Sequence, residues 1–114
     1  MKRNVKLFIN DILENINDIE SFSKGMSKST LKFDLLRQKA IIRSLEVIGE
    51  ASKNIPESFR KEYPQVPWRD IAGFRDVMIH GYFRIDLDKV WNIIKMDIPD
   101  LKEKISNIKV ELEK

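Results

Sequence analysis

The sequence predicts an all-α protein, an antiparallel bundle of four to five helices that forms one domain over residues 1–114. Two observations predict this fold class. Apolar residues recur every three or four positions through most of the chain, which is the period of a helix buried on one face, and no segment shows the sustained alternation of a β-strand. The length agrees, because a chain of 114 residues buries enough surface for one core but not for two.

Two long helices are predicted in the first half of the chain. The first runs from about Val5 to Phe22 and ends before Gly25, and its apolar face is formed by Phe8, Ile12, Ile16, Ile19 and Phe22. The second runs from about Leu31 to Lys53, behind a cluster of hydroxyl side chains that can cap it. Its apolar residues cover more than one side, so we expect it to be buried on two sides, the second of which could contact another subunit.

Prolines and capping residues divide the second half. They predict a short helix at Glu57 to Glu62 and a third main helix over about Trp68 to His80, with Pro67 in its first turn. The last helix is predicted to start at the N-cap Asp86 and to carry one long apolar stripe, with a bend at Pro99.

The composition excludes several kinds of site. The chain has no cysteine and a single histidine, which rules out disulfides and cysteine nucleophiles and makes a transition-metal site improbable. We therefore predict no cofactor. No apolar run approaches the ~20 residues of a membrane span, and no signal-peptide core forms near the N-terminus, so a cytoplasmic protein without a membrane partner is expected. The net charge of +3 permits a polyanionic partner without requiring one.

Four polar side chains lie close together near the end of the third predicted helix: Arg75, Asp76, His80 and Tyr82. At ~100° per residue, Asp76 and His80 would share a face, where the carboxylate could orient the imidazole. Arg75 and Tyr82 would share another face, whereas Arg75 and His80 would diverge by ~140°. Either the last turn is distorted, or arginine and histidine converge across a symmetric interface; we favour the interface.

Arginine and histidine together suit the cleavage of RNA. The guanidinium fork of Arg75 matches phosphate oxygens, and His80 can move protons near neutral pH while the 2′-hydroxyl attacks the phosphate. One histidine cannot easily act as base and acid at once, but a two-fold dimer would bring two. The simpler interpretation is a histidine that sits near a helix C-terminus, where positive charge is favourable.

The spacing Arg75-x4-His80-x-Tyr82 resembles the signature of HepT-like ribonuclease toxins in the HEPN superfamily. Flanking segments are similar to the family as well: AIIRSLEVIGEA at 40–51, VPWRDIAGF at 66–74, VW at 90–91 and DIPDL at 97–101. The resemblance spans residues 31–101, and the combination of segments is far more specific than the arginine and histidine alone.

The resemblance implies a dimerising, HEPN-like helical bundle that cleaves RNA without metal, with Arg75 and His80 as the catalytic pair. It implies a supporting role for Asp76, where many members carry asparagine, so its carboxylate either orients the histidine or repels the substrate. It also implies a toxin–antitoxin pair, in which a nucleotidyltransferase antitoxin transfers AMP to Tyr82. Without the resemblance, Tyr82 would be interpreted as a packed aromatic residue beside Phe83.

Three charged residues of the second helix, Arg43, Glu46 and Glu50, are spaced to lie near one another. Such a set is most often a solvated face, but the resemblance suggests that it lines a dimer cleft. Gly49 costs about 1 kcal/mol relative to alanine in mid-helix, and a close approach of another segment there would offset that cost.

Two other functions compete with catalysis. The chain could be a non-catalytic HEPN subunit that docks a nucleotidyltransferase and grips a phosphate with Arg75, or a dimeric scaffold without chemistry. His80 discriminates between the first of these and an enzyme, because a phosphate grip has no use for a proton shuttle.

Overall fold

The computed structural model describes residues 2–77 and 84–114, with side chains from Val5 onward, and contains no β-strand within these ranges. Its helices are α1 (Lys2–Phe22), α2 (Lys28–Phe33), α3 (Leu35–Asn54), α4 (Glu57–Glu62), α5 (Trp68–Ala72), α6 (Leu87–Asn92) and α7 (Ile98–Leu112). A 3₁₀ turn, Gly73–Arg75, continues α5, and a π-helical segment, Ile93–Asp97, joins α6 to α7. The prediction of an all-α fold is confirmed.

The core lies where α1 packs against α3 and α7. The predicted apolar face of α1 points into it, with Ile12, Ile16 and Ile19 fully buried and Phe8 and Phe22 at its margins. The stripe of the last helix is buried too, at Val90, Ile94, Ile98, Leu101, Ile105 and Ile108. Because hydrophobic periodicity records which face is buried, these two helices could be predicted from spacing.

The prediction of one helix over Leu31 to Lys53 is wrong, because the chain breaks at Asp34. This residue ends α2 with φ −88° and ψ 86°, and its carboxylate caps α3 by accepting a 3.1 Å hydrogen bond from the Arg37 backbone N–H. Ser27 caps α2 in the same way, through the backbone N–H of Thr30 at 3.1 Å. Aspartate competes for backbone donors and so favours caps over helix interiors.

The prediction of one continuous helix over Trp68 to His80 is also wrong, because the chain leaves helical geometry at residues 76–77. The 3₁₀ turn ends at Arg75, and Asp76 has φ −106° and ψ 80°. Bonds to the start of α6 replace helical ones, since Lys89 Nζ donates to the Asp76 carbonyl at 2.6 Å and the Asp86 N–H donates to the Val77 carbonyl at 2.6 Å.

The angular positions of the polar side chains were predicted for one continuous helix, which the chain does not form. The shared face of Asp76 with His80, and that of Arg75 with Tyr82, both assumed a helix that continues past residue 76. His80 and Tyr82 themselves lie outside the described residues. The relation between arginine and histidine therefore stays a prediction from the sequence.

The two remaining predicted helix starts agree with the structure. The short helix over Glu57–Glu62 is present, and Asp86 caps α6 by accepting a 3.1 Å hydrogen bond from the Lys89 N–H. The irregularity expected at Pro99 lies just before it, in the π-helical segment, and Pro99 itself falls in the first turn of α7. Proline removes a backbone donor from a helix, and the backbone just before Pro99 runs in π-helical register, with the Ile98 N–H donating to the Ile93 carbonyl.

Candidate functional site

Gly49 fixes the position of Arg75 relative to α3. A Cβ built on Gly49 would lie 3.1 Å from the Ala72 carbonyl oxygen, 3.1 Å from the Arg75 backbone nitrogen and 3.2 Å from the Arg75 Cβ. These distances are tighter than ordinary van der Waals contact, so glycine allows the 3₁₀ turn to press directly on α3. The close approach expected from a glycine in mid-helix is present, and it places the arginine of the signature beside the next residue of α3.

That next residue, Glu50, forms an ion pair with Arg75. Arg75 Nη1 donates to Glu50 Oε2 at 2.7 Å, and the two side chains are 47% and 62% exposed. A guanidinium carries five N–H donors, and Glu50 provides the one acceptor that the described residues offer to it. Arg75 is therefore oriented by α3 but keeps donors for a ligand that arrives from solvent.

The pair lies in an open groove of about 660 Å³ between α1, α3 and the 3₁₀ turn. We call it the Arg75 groove, and its lining consists of Phe8, Asp11, Arg43, Glu46, Val47, Glu50, Ala51, Asn54 and Arg75. The structure thus brings Arg43, Glu46 and Glu50 into one groove with Arg75. Their role as the lining of a cleft between two subunits stays a prediction.

The contribution of α1 to this groove was not predicted from the sequence. Phe8 was assigned to the core, but its ring is half-buried and borders the groove, and the exposed Asp11 follows it one helical turn later. The position of Phe8 at the edge of the apolar stripe could have indicated it, because residues at such an edge lie between core and surface and line the grooves between helices.

The groove carries charges of both signs. Asp11, Glu46 and Glu50 bring three carboxylates to its two arginines, Arg43 and Arg75. A uniform cationic cradle would attract any polyanion, whereas this groove offers cationic donors at defined points among anions. A phosphate that binds Arg75 must share the guanidinium with Glu50, which the planar fork permits because its donors lie along more than one edge.

Asp76, the predicted supporting residue, contacts the start of α6 through its backbone. Its carbonyl accepts from Lys89 Nζ and its N–H donates to the Gly73 carbonyl, whereas the carboxylate makes no hydrogen bond with any described residue. It follows directly after Arg75 at the point where the 3₁₀ turn ends. Asp76 is exposed and does not belong to the lining of the Arg75 groove, so its supporting role stays a prediction.

A second cavity, of about 400 Å³, lies between α5 and the π-helical segment. It contains Asp97, whose pKa is raised by burial and, to a lesser extent, by the nearby carboxylates of Asp70 and Asp100. Despite these acids, no group of three or more potential ligands in residues 2–77 and 84–114 is arranged to hold a metal ion. Over the same two ranges, every helix is too short or too polar to cross a membrane.

Comparison with known proteins connects this geometry to a family. The model of the family described as Ribonuclease HepT-like matches residues 12–108. The Probable ribonuclease HepT of Thermococcus cleftensis is 44% identical over 109 residues, which are 96% of this chain and 99% of that protein. A candidate RNase of Methanocaldococcus jannaschii, MJ0127, is 50% identical over 103 residues, or 90% of this chain and 85% of its own length.

One similar protein is longer. It is MJ0434 of the same archaeon, named for a gamma-glutamylcyclotransferase and a candidate RNase, and it is 43% identical over all 114 residues of this chain. The chain spans 51% of that protein's length. No solved structure matches the chain.

Proposed function

The chain belongs to the Ribonuclease HepT-like family, and we propose that it is an endoribonuclease that cleaves RNA without a metal ion, using Arg75 and His80. The observation that carries this proposal is the presentation of Arg75. Its backbone is pressed against Gly49, its guanidinium is oriented by Glu50, and nearly half of its side chain is open to solvent in a groove.

The reaction needs one cation and two proton transfers. The 2′-oxygen attacks the neighbouring phosphorus, the bond from phosphorus to the 5′-oxygen breaks, and a cyclic phosphate remains. In the proposed mechanism Arg75 neutralises the charge that builds up on the phosphate oxygens. His80 takes the proton of the 2′-hydroxyl or returns one to the departing 5′-oxygen. Each chain has one histidine, so a homodimer that joins two sites would supply both roles.

The test is cleavage of RNA by the purified protein in excess chelator. Full activity is expected for the wild type, and His80→Ala should be roughly 10²–10⁴-fold slower because proton transfer is lost. Arg69→Ala is the matched control, since Arg69 lies on α5 beside the second cavity and outside the Arg75 groove. Undiminished cleavage by His80→Ala, or cleavage abolished by the chelator, would reject the mechanism.

The second candidate function is a non-catalytic subunit that grips a phosphate and docks a nucleotidyltransferase. The ion pair between Arg75 and Glu50 is its support, because it orients a guanidinium that keeps donors for a phosphate. In that case no RNA would be cut. RNA binding would then depend on Arg75 and would be the same for the wild type and His80→Ala.

We further propose that the protein is the toxin of a toxin–antitoxin pair, silenced when a nucleotidyltransferase antitoxin transfers AMP to Tyr82. The added phosphodiester would bring a negative charge close to Arg75 in sequence, where it would compete with RNA phosphate. Incubation with ATP and the antitoxin should raise the intact mass of the wild type by one or more AMP groups. Tyr82→Phe should gain none, and an equal gain on that variant would exclude Tyr82 as the acceptor.

A further inference from the structure

An exposed aromatic ring marks the break between α2 and α3. Phe33 is the last residue of α2 and is 74% exposed. The next residue, Asp34, accepts hydrogen bonds from the backbone N–H and from Nε of Arg37, so the backbone that carries the ring is held in place. Large aromatic side chains usually contribute to a core or to an interface, and packing among the described residues does not account for this one.

The ring borders an open groove of about 840 Å³ between the start of α3 and the start of α6. We call it the Phe33 groove, and the charged side chains of its lining are Lys28, Lys32, Arg84, Asp86 and Asp88. It has no lining residue in common with the Arg75 groove. It is therefore a separate feature of the surface, and the proposed cleavage mechanism makes no use of it.

Both carboxylates of the Phe33 groove already have partners. Asp86 accepts a 3.1 Å hydrogen bond from the Lys89 backbone N–H and so caps α6. Asp88 forms an ion pair with Lys28 Nζ at 2.6 Å. These bonds engage one of the three cations, Lys28, and leave the other two as the charges that the groove can offer to a ligand.

The two other cations, Lys32 and Arg84, are exposed, and no ion pair between residues that the structure describes includes either of them. The Lys32 ammonium lies 5.7 Å from the centroid of the Phe33 ring. Such a cation–π contact is weak at an exposed site, so the ammonium can exchange it for a stronger contact with an anion. The groove thus offers a flat aromatic surface with positive charge directly beside it.

A single-stranded nucleic acid fits this combination better than a protein does. Its bases stack on exposed aromatic rings while basic side chains contact the phosphates, and one nucleotide supplies both a flat base and an anion. A second copy of this chain would not suit the groove, because a symmetric contact sets a surface against itself and would bring Lys32 and Arg84 close to their own copies. An apolar partner would bury the two cations without an anion.

We propose that the Phe33 groove is an accessory contact for single-stranded RNA, in which a base stacks on Phe33 while Lys32 and Arg84 neutralise neighbouring phosphates. That the nucleic acid is RNA rests on the proposed function. That it is single-stranded follows from the ring, because a base must be unpaired and turned outward to stack on a side chain.

The Phe33 groove and the Arg75 groove lie toward opposite ends of α3. From Leu35, which follows the break, to Glu50, which binds Arg75, the helix rises ~22 Å at ~1.5 Å per residue. A strand that places a base on Phe33 and a phosphate on Arg75 therefore spans roughly six nucleotides at ~3.4 Å each. The accessory contact strengthens the binding of long substrates, whereas a dinucleotide is too short to reach both grooves.

The ring is tested by fluorescence anisotropy with a 2′-deoxy dodecamer, which cannot be cleaved by attack of a 2′-hydroxyl. Phe33→Ala should bind it about tenfold more weakly, the scale of one base stacked on an aromatic side chain. Phe33→Leu should bind as weakly, since it keeps apolar surface but loses the flat ring, and Phe33→Tyr should restore the affinity. Leu36→Ala is the matched control, because Leu36 is 81% exposed but lies outside the groove.

Three results of this assay would overturn the proposal. Wild-type affinity in Phe33→Leu, or an equal loss in Leu36→Ala, would mean that the surface is a general apolar contact of the kind that a protein partner covers. A wild-type protein that does not bind the dodecamer would exclude a nucleic acid as the ligand of the groove.

The cations are tested by the dependence of the same affinity on salt. Lys32→Ala should reduce the slope of log affinity against log salt concentration by about 0.7, the value for one phosphate contact with a single strand. Lys61→Ala is the control, since Lys61 is an exposed lysine of α4 outside the groove, and it should keep the wild-type slope. A slope that Lys32→Ala leaves unchanged, or that both variants reduce equally, would overturn the phosphate contact.

Cleavage of RNA separates the failure of this proposal from the failure of the proposed function. The kcat/KM for an RNA dodecamer, relative to that for a dinucleotide, should fall about tenfold in Phe33→Ala and stay the same in Leu36→Ala. An active enzyme whose preference for the dodecamer survives Phe33→Ala would keep the proposed function and overturn the accessory contact. A wild-type protein that binds the dodecamer through Phe33 but cuts no RNA would reject the proposed function and leave the accessory contact standing.

Discussion

Arg37, in the first turn of α3, and Arg75, which packs against the other end of that helix, differ in how many of their donors are used. At the N-terminal end, Arg37 bonds to the Asp34 carboxylate through Nε at 2.8 Å and to the carbonyl oxygens of Phe22 and Lys24 through Nη1, at 3.2 and 3.4 Å. At the C-terminal end, Arg75 bonds to Glu50 alone among the described residues. Arg37 therefore uses its donors to hold the fold together, whereas Arg75 is oriented by one ion pair and stays partly exposed.

The difference separates an arginine whose donors are used within the fold from one whose donors remain available to the proposed substrate. Both lie beside a carboxylate, and residue type alone does not separate them. Arg37 ties the end of α1 to the start of α3, so its bonds stabilise the chain against unfolding. Arg75 has a single exposed ion pair, and such pairs contribute little to stability. Packing against Gly49 fixes the backbone of Arg75, and its exposed donors fit the proposed role in binding a phosphate.

The largest expected effect is a reversal of roles between two alanine variants. Arg75→Ala should reduce RNA cleavage by roughly 10²–10³-fold, the cost of removing one donor that stabilises transition-state charge, with little change in the free energy of unfolding. Arg37→Ala should lower that free energy by about 1–3 kcal/mol, because charged bonds to carbonyl oxygens are lost. Urea unfolding and a cleavage assay on each variant separate the two effects.

The assignment of the two arginines is wrong if either variant behaves like the other. A large loss of stability in Arg75→Ala would make Arg75 a structural residue. A loss of cleavage in folded Arg37→Ala would make the N-terminal end of α3 part of the site. Measuring cleavage well below the unfolding transition of each variant prevents instability from being mistaken for lost activity.

The next effect concerns the contact that presents Arg75. Gly49→Ala would push its Cβ against the Ala72 carbonyl and the Arg75 backbone, both at 3.1 Å. The 3₁₀ turn must then give by a few tenths of an ångström. A misplacement of about 1 Å can cost about 10²-fold in rate, so we expect a smaller but measurable loss. Gly73→Ala is the control, since a Cβ there meets no described atom within 4 Å. Cleavage unchanged by Gly49→Ala would separate the position of Arg75 from the activity.

The helices could be predicted because burial leaves a period in the sequence. Ile12, Ile16 and Ile19 recur on one face, and that face is buried. The ends were harder to predict. Asp34 breaks the second helix by taking a cap position, but an aspartate between Phe33 and Leu35 can also occupy a helix surface. Which of the two occurs depends on Arg37 and on the carbonyl groups of α1, which lie far away in sequence.

At the candidate site, Arg75 was predicted from the sequence, whereas its contacts with Gly49 and Glu50 are seen only in the structure. The signature indicated Arg75, and mid-helix Gly49 indicated a close approach without saying by what. That the approaching segment is the turn of Arg75 itself depends on packing between α3 and α5. The helix predicted through His80 failed because bonds from Lys89 and Asp86 take over the backbone after Arg75, and no local pattern records such bonds.

A small effect of pH on stability is expected at the ion pair between Asp34 and Arg37. The side-chain hydrogen bond from Arg37 holds the pKa of Asp34 below its ordinary value. A lowered folded-state pKa means that the pair stabilises the protein above the unfolded-state pKa, and that this stability is lost as pH falls through the folded-state pKa. Asp34→Asn keeps a good cap but removes the charge. Urea unfolding should therefore find the variant less stable than the wild type near neutrality, with the two converging below the ordinary pKa of 3.8. In an Arg37→Ala background the difference should shrink. A gap that persists in acid would mean that the Asp34 carboxylate stabilises α3 by its shape and not by its charge.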